Sequence, residues 1–258
     1  MPVISDLYSS YNTAEGDSGK PPIILIHGAG GTHLYWPPEI RRMPGHPIYA
    51  LDLPGHGKSP GRGMQTIDGY SEEVIRWMDQ LQSRTHISRA IIGGHSMGGA
   101  IALQLALNYP TRVAGLILVG TGARLRVHPT ILSDSSNPTT YNKAIHAVLE
   151  MAFGPDVNPR LVELAGKRMF EIRQSVFHDD MVACNAFDCI DSVGAIRKPT
   201  LVICGSEDRM TPLRYSQFLA GAIPEAKLKV IPGAGHMVML QRPQEVADEM
   251  REFLASLS

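Results

Sequence analysis

Gly94-His95-Ser96-Met97-Gly98 places a serine midway between two glycines. The apolar run Ala90-Ile91-Ile92 leads into it, and a helical pattern, "GAIALQLALNY", follows almost without a loop. A corner that tight forces its central residue into a strained backbone conformation. Side chains two positions to either side would collide with the adjoining strand and helix, which is the reason for glycine at both. The strain exposes the Ser96 hydroxyl at the start of a helix, where backbone amides point outward. A serine hydroxyl alone is a poor nucleophile. It needs a base, and the base needs a partner to orient it.

The chain offers both. His236 stands in Gly233-Ala234-Gly235-His236, directly after an apolar run. Asp208 stands in Cys204-Gly205-Ser206-Glu207-Asp208, after the preceding run, with Glu207 as the rival acid. Each falls at the carboxyl end of a predicted strand, where open parallel sheets carry their sites. A third feature is the glycine-rich turn His27-Gly28-Ala29-Gly30. Its free amides could face a developing negative charge.

The elements that must position these groups can be read from periodicity. "IILIHG", "IYALDLPGHG", "RAIIGGHS", "LILVGTG", "TLVICGSED" and "LKVIPGAGH" are short continuous apolar runs ending in glycine or a polar residue. That is the mark of strands buried on both faces. "PVISDLYSSYNTA", followed by the turn-rich "EGDSGKPP", predicts an early hairpin or edge strand. "YSEEVIRWMDQL" predicts a helix capped by Ser71, with Val74, Ile75, Met78 and Leu81 on one face. "GAIALQLALNY", apolar nearly all round, predicts a buried helix stopped by Pro110. A last helix begins near Pro243, with Val246, Met250, Phe253, Leu254 and Leu257 on one side. Strands alternating with helices argue for a mostly parallel sheet covered on both faces.

The alternation breaks between about Gly122 and Ile196, where the signals are helical only. Asn-Pro starts open "NPTTYNKAIHAVLEMAF" and "NPRLVELAGKRMFEI", and a shorter helix covers "DDMVACNAF". The expected organisation is a core of residues 1–121 and 197–258, with residues 122–196 inserted as a helical lid before the last two strands.

Composition excludes several function classes. The 258 residues are 43% hydrophobic and 19% charged, with a formal net charge of −1. No global field draws nucleic acid or anionic lipid. "MPVISDLYSS" lacks the basic and apolar regions of a secretory signal, and no apolar run approaches the roughly 20 residues that span a bilayer. Cys184, Cys189 and Cys204 have neither zinc spacing nor a disulfide framework. They read as reduced thiols of a cytoplasmic protein. "GAGGTH" begins like a dinucleotide fingerprint, but His33 stands at the third glycine. "DLPGHGKS" ends like a phosphate-binding loop, but Asp52 replaces the first glycine. Neither supports nucleotide binding, and Asp52 reads as a turn residue. His27, His56, His95 and His236 form no short-range ligand pair, so no metal is expected. His27 and His95 read as structural neighbours of the site. Trp36 either lines a pocket or packs under the lid. Met237, beside His236, could line the same permissive pocket, against core filling as the alternative.

Taken together, His27-Gly28-Ala29-Gly30, the Asp52-to-Ser59 turn, the corner at Ser96, Gly205-to-Asp208 and Gly235-His236 resemble the serine-nucleophile branch of the α/β-hydrolase family. The resemblance spans nearly the whole chain; the lid matches in position and helical character alone. It implies an α/β-hydrolase fold, a mostly parallel central sheet flanked by helices. It implies Ser96 as nucleophile, His236 as general base and then acid, and Asp208, at the family position, as the orienting acid. The amides of Ala29 and Met97 would form the oxyanion hole. A serine rather than an aspartate at the corner argues against haloalkane dehalogenases and epoxide hydrolases. "HGAGG" lacks the proline common in carbon–carbon bond hydrolases. The expectation is a cofactor-free carboxylesterase acting on a small-molecule ester. An enol-lactonase, a carbon–carbon bond hydrolase or a cofactor-free haloperoxidase would use the same triad. A ligand receptor that retains the fold but turns over slowly is the alternative from a different class.

Overall fold

A computed structural model describes residues 6–12 and 19–257. Each of the six apolar runs is a strand: β2 (Ile23–Ile26), β3 (Ile48–Leu51), β4 (Ala90–His95), β5 (Val113–Val119), β6 (Thr200–Gly205) and β7 (Lys227–Ile231). They are mutually parallel. The early segment supplies β1 (Ser9–Asn12), an edge strand antiparallel to β3, so no hairpin joins β1 to β2. Residues 1–5 and 13–18, part of that early reading, lie outside the described residues. The sheet order is β1-β3-β2-β4-β5-β6-β7. From β2 the chain steps one way to β3 and then the other way to β4. That switch leaves a crevice beyond the carboxyl ends of β2 and β4, where ligands bind in open α/β sheets.

The strands are buried on both faces, as continuous apolar runs require. Ile23 and Leu25 enter one core cluster, Ile24 and Ile26 the other. β7 departs from this pattern. It closes the opposite edge, and of its five residues Ile231 alone is buried, while Lys227 and Lys229 blunt the edge with charge.

On one face lie α1 (Pro38–Arg41), α9 (Val238–Gln241) and α10 (Pro243–Ala255); on the other α2 (Ile67–Thr85), α3 (Met97–Asn108) and α8 (Leu213–Ala222). Helix α2 starts four residues before Ser71. Its cap is Thr66, whose hydroxyl accepts from the Gly69 amide, while Ser71 is buried and donates to the Asp68 carbonyl. The first polar residue ahead of the apolar stripe was not the cap, because the helix gains a further turn through Ile67 and Tyr70, both buried. Helix α3 is buried along most of its length and ends before Pro110.

Four helices fall between β5 and β6: α4 (Pro129–Ser136), α5 (Tyr141–Ala152), α6 (Pro159–Phe170) and α7 (Gln174–Ala186). Asn158 caps α6 through its side chain, as its Asn-Pro start predicts. Asn137-Pro138 instead forms a turn, and α5 begins at Tyr141. Helix α7 is longer than expected, extended at its N-terminus by buried Val176 and Phe177. Among the described residues no helix is long and apolar enough to cross a membrane.

Candidate active site

Ser96 joins β4 to α3 with φ 53° and ψ −116°. This is a non-glycine residue in backbone space that favours glycine, and something must hold it there. The two flanking glycines do so by letting backbones touch. A Cβ on Gly94 would lie 2.1 Å from the Gly98 carbonyl oxygen, and one on Gly98 would lie 2.3 Å from that of Ile26. Strand β2 and helix α3 can therefore press on the corner from both sides.

The His27–Gly30 turn leaves β2 beside that corner. A Cβ on Gly28 would sit 3.1 Å from Ser96 Cβ. Among the described residues, the amides of Ala29 and Met97 donate no hydrogen bond, whereas the Gly30 and Gly31 amides are taken. The turn is fixed by His27, whose Nδ1–H donates to the Gly28 carbonyl (2.8 Å) while Nε2 accepts from the Leu53 amide (3.0 Å). Burial, with His56 nearby, lowers the His27 pKa to about 4, so the ring is neutral and can accept. His95 is likewise neutral. Burial and the His236 ring lower it to about 3, and its Nε2–H donates to the His236 carbonyl at 3.0 Å. Both histidines are structural neighbours of the corner, as the sequence suggests.

His236 follows β7, in the loop before α9. Its Nδ1 lies 2.9 Å from Asp208 Oδ2, both side chains buried. Asp208 Oδ1 accepts the Met210 and Thr211 amides (2.9 and 2.8 Å), and Oδ2 accepts the Thr211 hydroxyl (2.8 Å). Burial works to raise the Asp208 pKa. The His236 ring and these donors outweigh it and hold the carboxyl below its ordinary value. An ionised Asp208 fixes the proton of His236 on Nδ1 and leaves Nε2 as a base. Nε2 makes no hydrogen bond to the described protein, and none joins the Ser96 hydroxyl to it. Such contacts commonly tighten when substrate binds. Glu207 is exposed and accepts from Ser206, away from the pair.

Ser96 lines a cavity of about 390 Å³. Its other walls come from Ala29, Thr211, the segment after β5 (Leu125, Val127) and the inserted helices (Ile131, Val148, Met181). Trp36 and Met237 do not line it. Both are buried in the apolar cluster, Trp36 with Tyr141 and Phe177 of the inserted helices. Ring area and thioether thus serve packing, the second of the two alternatives left open for each. Cys184 also lines the cavity, but burial pushes its thiol up and keeps it protonated. All three cysteines are free. No group of three or more metal-ligating side chains occurs among the described residues.

Asp52 is a turn residue. Oδ1 accepts the His33 amide and faces His33 Nδ1, and Oδ2 accepts the Lys58 amide. Sequence reasoning missed Asp180 of α7. It is fully buried and accepts from the Gly30 amide of the His27–Gly30 turn. Nothing local marks it: its partner is 150 residues away.

Residues 23–249 match the model of the Alpha/beta hydrolase family. A solved thermophilic esterase is 33% identical, covers 98% of this chain and 99% of its own, and superposes with a TM-score of 0.81. RutD of Variovorax paradoxus (strain S110), named as a proposed carbamate hydrolase, is 28% identical over 97% of this chain and 96% of its own length. The solved structure of Est816, described as an N-acyl homoserine lactone degrading enzyme, is 27% identical, covers 96% of both chains and has a TM-score of 0.79.

Proposed function

This chain belongs to the alpha/beta hydrolase family, and from that premise we propose that it is a serine hydrolase cleaving carboxylic esters through an acyl-enzyme. Ser96 Oγ attacks the ester carbonyl carbon and gives its proton to His236 Nε2. The carbonyl oxygen becomes an oxyanion received by the free amides of Ala29 and Met97. One such donor is worth about 3 kcal/mol in the transition state. His236 then returns the proton to the departing alkoxide, and the alcohol leaves. Water, deprotonated by His236, attacks the acyl-enzyme; the acid departs and the proton returns to Ser96. Asp208 keeps the ring aimed and stabilises the imidazolium.

The observation that carries the reading is the 2.9 Å contact from His236 Nδ1 to the buried Asp208 carboxylate. The residue before Ser96 bonds the same histidine's carbonyl. An ester, a carbamate and a lactone all present an acyl carbon to the same attack, and the 33% identity to an esterase favours the ester. We read residues 122–196 as a lid over the core of residues 1–121 and 197–258, since that segment supplies much of the cavity wall. Three free, buried thiols support a cytoplasmic location.

A fluorophosphonate probe tests the nucleophile. Labelling is expected at Ser96 in the native protein, and Ser96→Ala is expected to abolish both labelling and p-nitrophenyl ester hydrolysis. Undiminished hydrolysis by Ser96→Ala would end the esterase reading. A single acylation without steady turnover would favour the receptor alternative. A panel of esters, lactones and carbamates of graded length ranks the substrates.

A further inference from the structure

Asp180 belongs to an inserted helix, yet its carboxylate reaches under the turn that leaves β2. Oδ2 accepts the Gly30 amide at 2.8 Å and lies 2.8 Å from His56 Nε2. Oδ1 accepts the Tyr70 hydroxyl of α2. All three groups come from different parts of the chain, and Asp180 and His56 have no solvent exposure. His56 Nδ1 faces the Pro54 carbonyl at 3.0 Å. Both ring nitrogens therefore face acceptors, and a doubly protonated imidazolium satisfies both.

A bare carboxylate next to an oxyanion site would oppose the negative charge that develops there. Paired with an imidazolium, it adds no net charge while still anchoring the amide. The anchored amide is that of Gly30, one peptide beyond Ala29, and the Gly31 amide closes the turn on the Gly28 carbonyl at 3.1 Å. With the Gly30 amide held outward to Asp180, the peptide before it has little freedom. The Ala29 N–H is left unbonded, and Ala29 lines the same cavity as Ser96.

We propose that Asp180 is a positioning residue for the oxyanion site: its carboxylate, fastened by the His56 imidazolium and the Tyr70 hydroxyl, fixes the Gly30 amide and so aims the Ala29 N–H at the oxygen of the attacked carbonyl. The inference rests on Ser96 as nucleophile, proposed above. Helix α7 is tied to the core through this fully buried carboxylate.

The test separates positioning from folding. A trifluoromethyl ketone adds to a nucleophilic serine and places an oxyanion in the hole; a simple alcohol of the same shape does not. Asp180→Ala is expected to lower kcat about 10- to 100-fold, a fraction of what losing a whole oxyanion donor does, with KM within about twofold. Affinity for the ketone should fall by the same factor as kcat, and affinity for the alcohol should not. Asp180→Asn keeps an acceptor for Gly30 and should restore most of kcat. Asp179→Asn, one position away and bonded to Gln65, should match the wild type. Unchanged ketone affinity in Asp180→Ala overturns the inference, as does a loss confined to KM. If Asp180→Ala does not fold, Tyr70→Phe replaces it and should weaken ketone binding less but in the same direction; unchanged ketone affinity in Tyr70→Phe then overturns it equally. Activity surviving in Ser96→Ala would instead overturn the nucleophile assignment, an outcome none of these variants imitates.

Discussion

Two histidine–carboxylate–hydroxyl clusters are built from the same three kinds of group. In one, His236, Asp208 and Thr211 meet at 2.8 to 3.2 Å. In the other, His56 and Asp180 meet at 2.8 Å with Tyr70 on the same carboxylate. What differs is the second ring nitrogen. His56 spends both, one on Asp180 and one on the Pro54 carbonyl. His236 spends Nδ1 alone. A histidine with both nitrogens bonded to acceptors holds a fixed charge and serves the fold. One with a nitrogen left over can take up and release a proton. The histidine–carboxylate contact itself does not tell catalysis from architecture; the unbonded nitrogen does.

The largest effect expected from that difference is on rate. Asp208→Asn should lower kcat by about 10⁴-fold, because the amide leaves His236 in the wrong tautomer, while thermal unfolding changes little. Glu207→Gln, at the exposed neighbour, should leave kcat within about twofold. Steady-state kinetics on one ester checks both. An unchanged rate in Asp208→Asn, with a large loss in Glu207→Gln, would hand the acid role to Glu207 and break the contrast.

The architectural cluster should answer in stability. His56→Gln leaves a buried carboxylate without its cation, and a denaturant titration should show a loss of about 3–5 kcal/mol. The pH dependence sharpens it. Burial works to lower the His56 pKa, and the Asp180 charge and hydrogen bond more than reverse this. A raised native pKa gives stability that is fully present below the unfolded value of about 6.5. That stability is lost as pH rises through the native value. His27, Asp52 and Tyr70 also face this ring and carry no second cation of comparable permanence. The wild type should therefore weaken on the alkaline side, and His56→Gln should lack that part of the slope.

His27 and His95 run the opposite way. Their native pKa values of about 4 and 3 lie below the unfolded value, so unfolding takes up protons. Stability should fall as pH drops from about 6.5 toward 4 and below. Replacing His95 with Asn should flatten the acid limb. A pH series of unfolding midpoints, read for wild type and both variants, tells the two limbs apart. An acid limb unaltered in His95→Asn would mean that this ring is charged in the fold.

The members of the proposed catalytic cluster could be singled out in the sequence and those of the architectural one could not, for a physical reason. Ser96, Asp208 and His236 each follow closely on a strand, and strand ends are announced by a continuous apolar run stopping at glycine or a polar residue. Six such runs also disclosed the parallel sheet. Asp180 sits inside a helix whose apolar spacing says nothing about a polar residue reaching 150 positions back. Long-range polar pairing has no period. The same limit explains Trp36, whose ring could be assigned to pocket or core only once the inserted helices were seen to cover it. Helix starts failed for a local reason: Thr66 and Ser71 are both good caps by type, and burial of Ile67 and Tyr70 decided between them.

The smallest effect tests how the load on Asp208 is shared among its donors. Asp208 accepts four donors, from His236, the Thr211 hydroxyl and the Met210 and Thr211 amides. Thr211→Val removes one and nearly preserves shape. Three donors remain, two of them on backbone that the substitution does not move. Losing one hydrogen bond to a charged group corresponds to about 1.5 kcal/mol, or roughly tenfold. The expected result is a fall in kcat of about tenfold or less, with KM unchanged. The remaining backbone amides should still hold Asp208 ionised at neutral pH. A fall approaching that of Asp208→Asn would mean that the hydroxyl, which also lies 3.2 Å from His236 Nδ1, sets the ring's orientation itself. The unbonded nitrogen would then be held by two partners, and the likeness to the Tyr70 cluster would be closer than the bonding pattern implies.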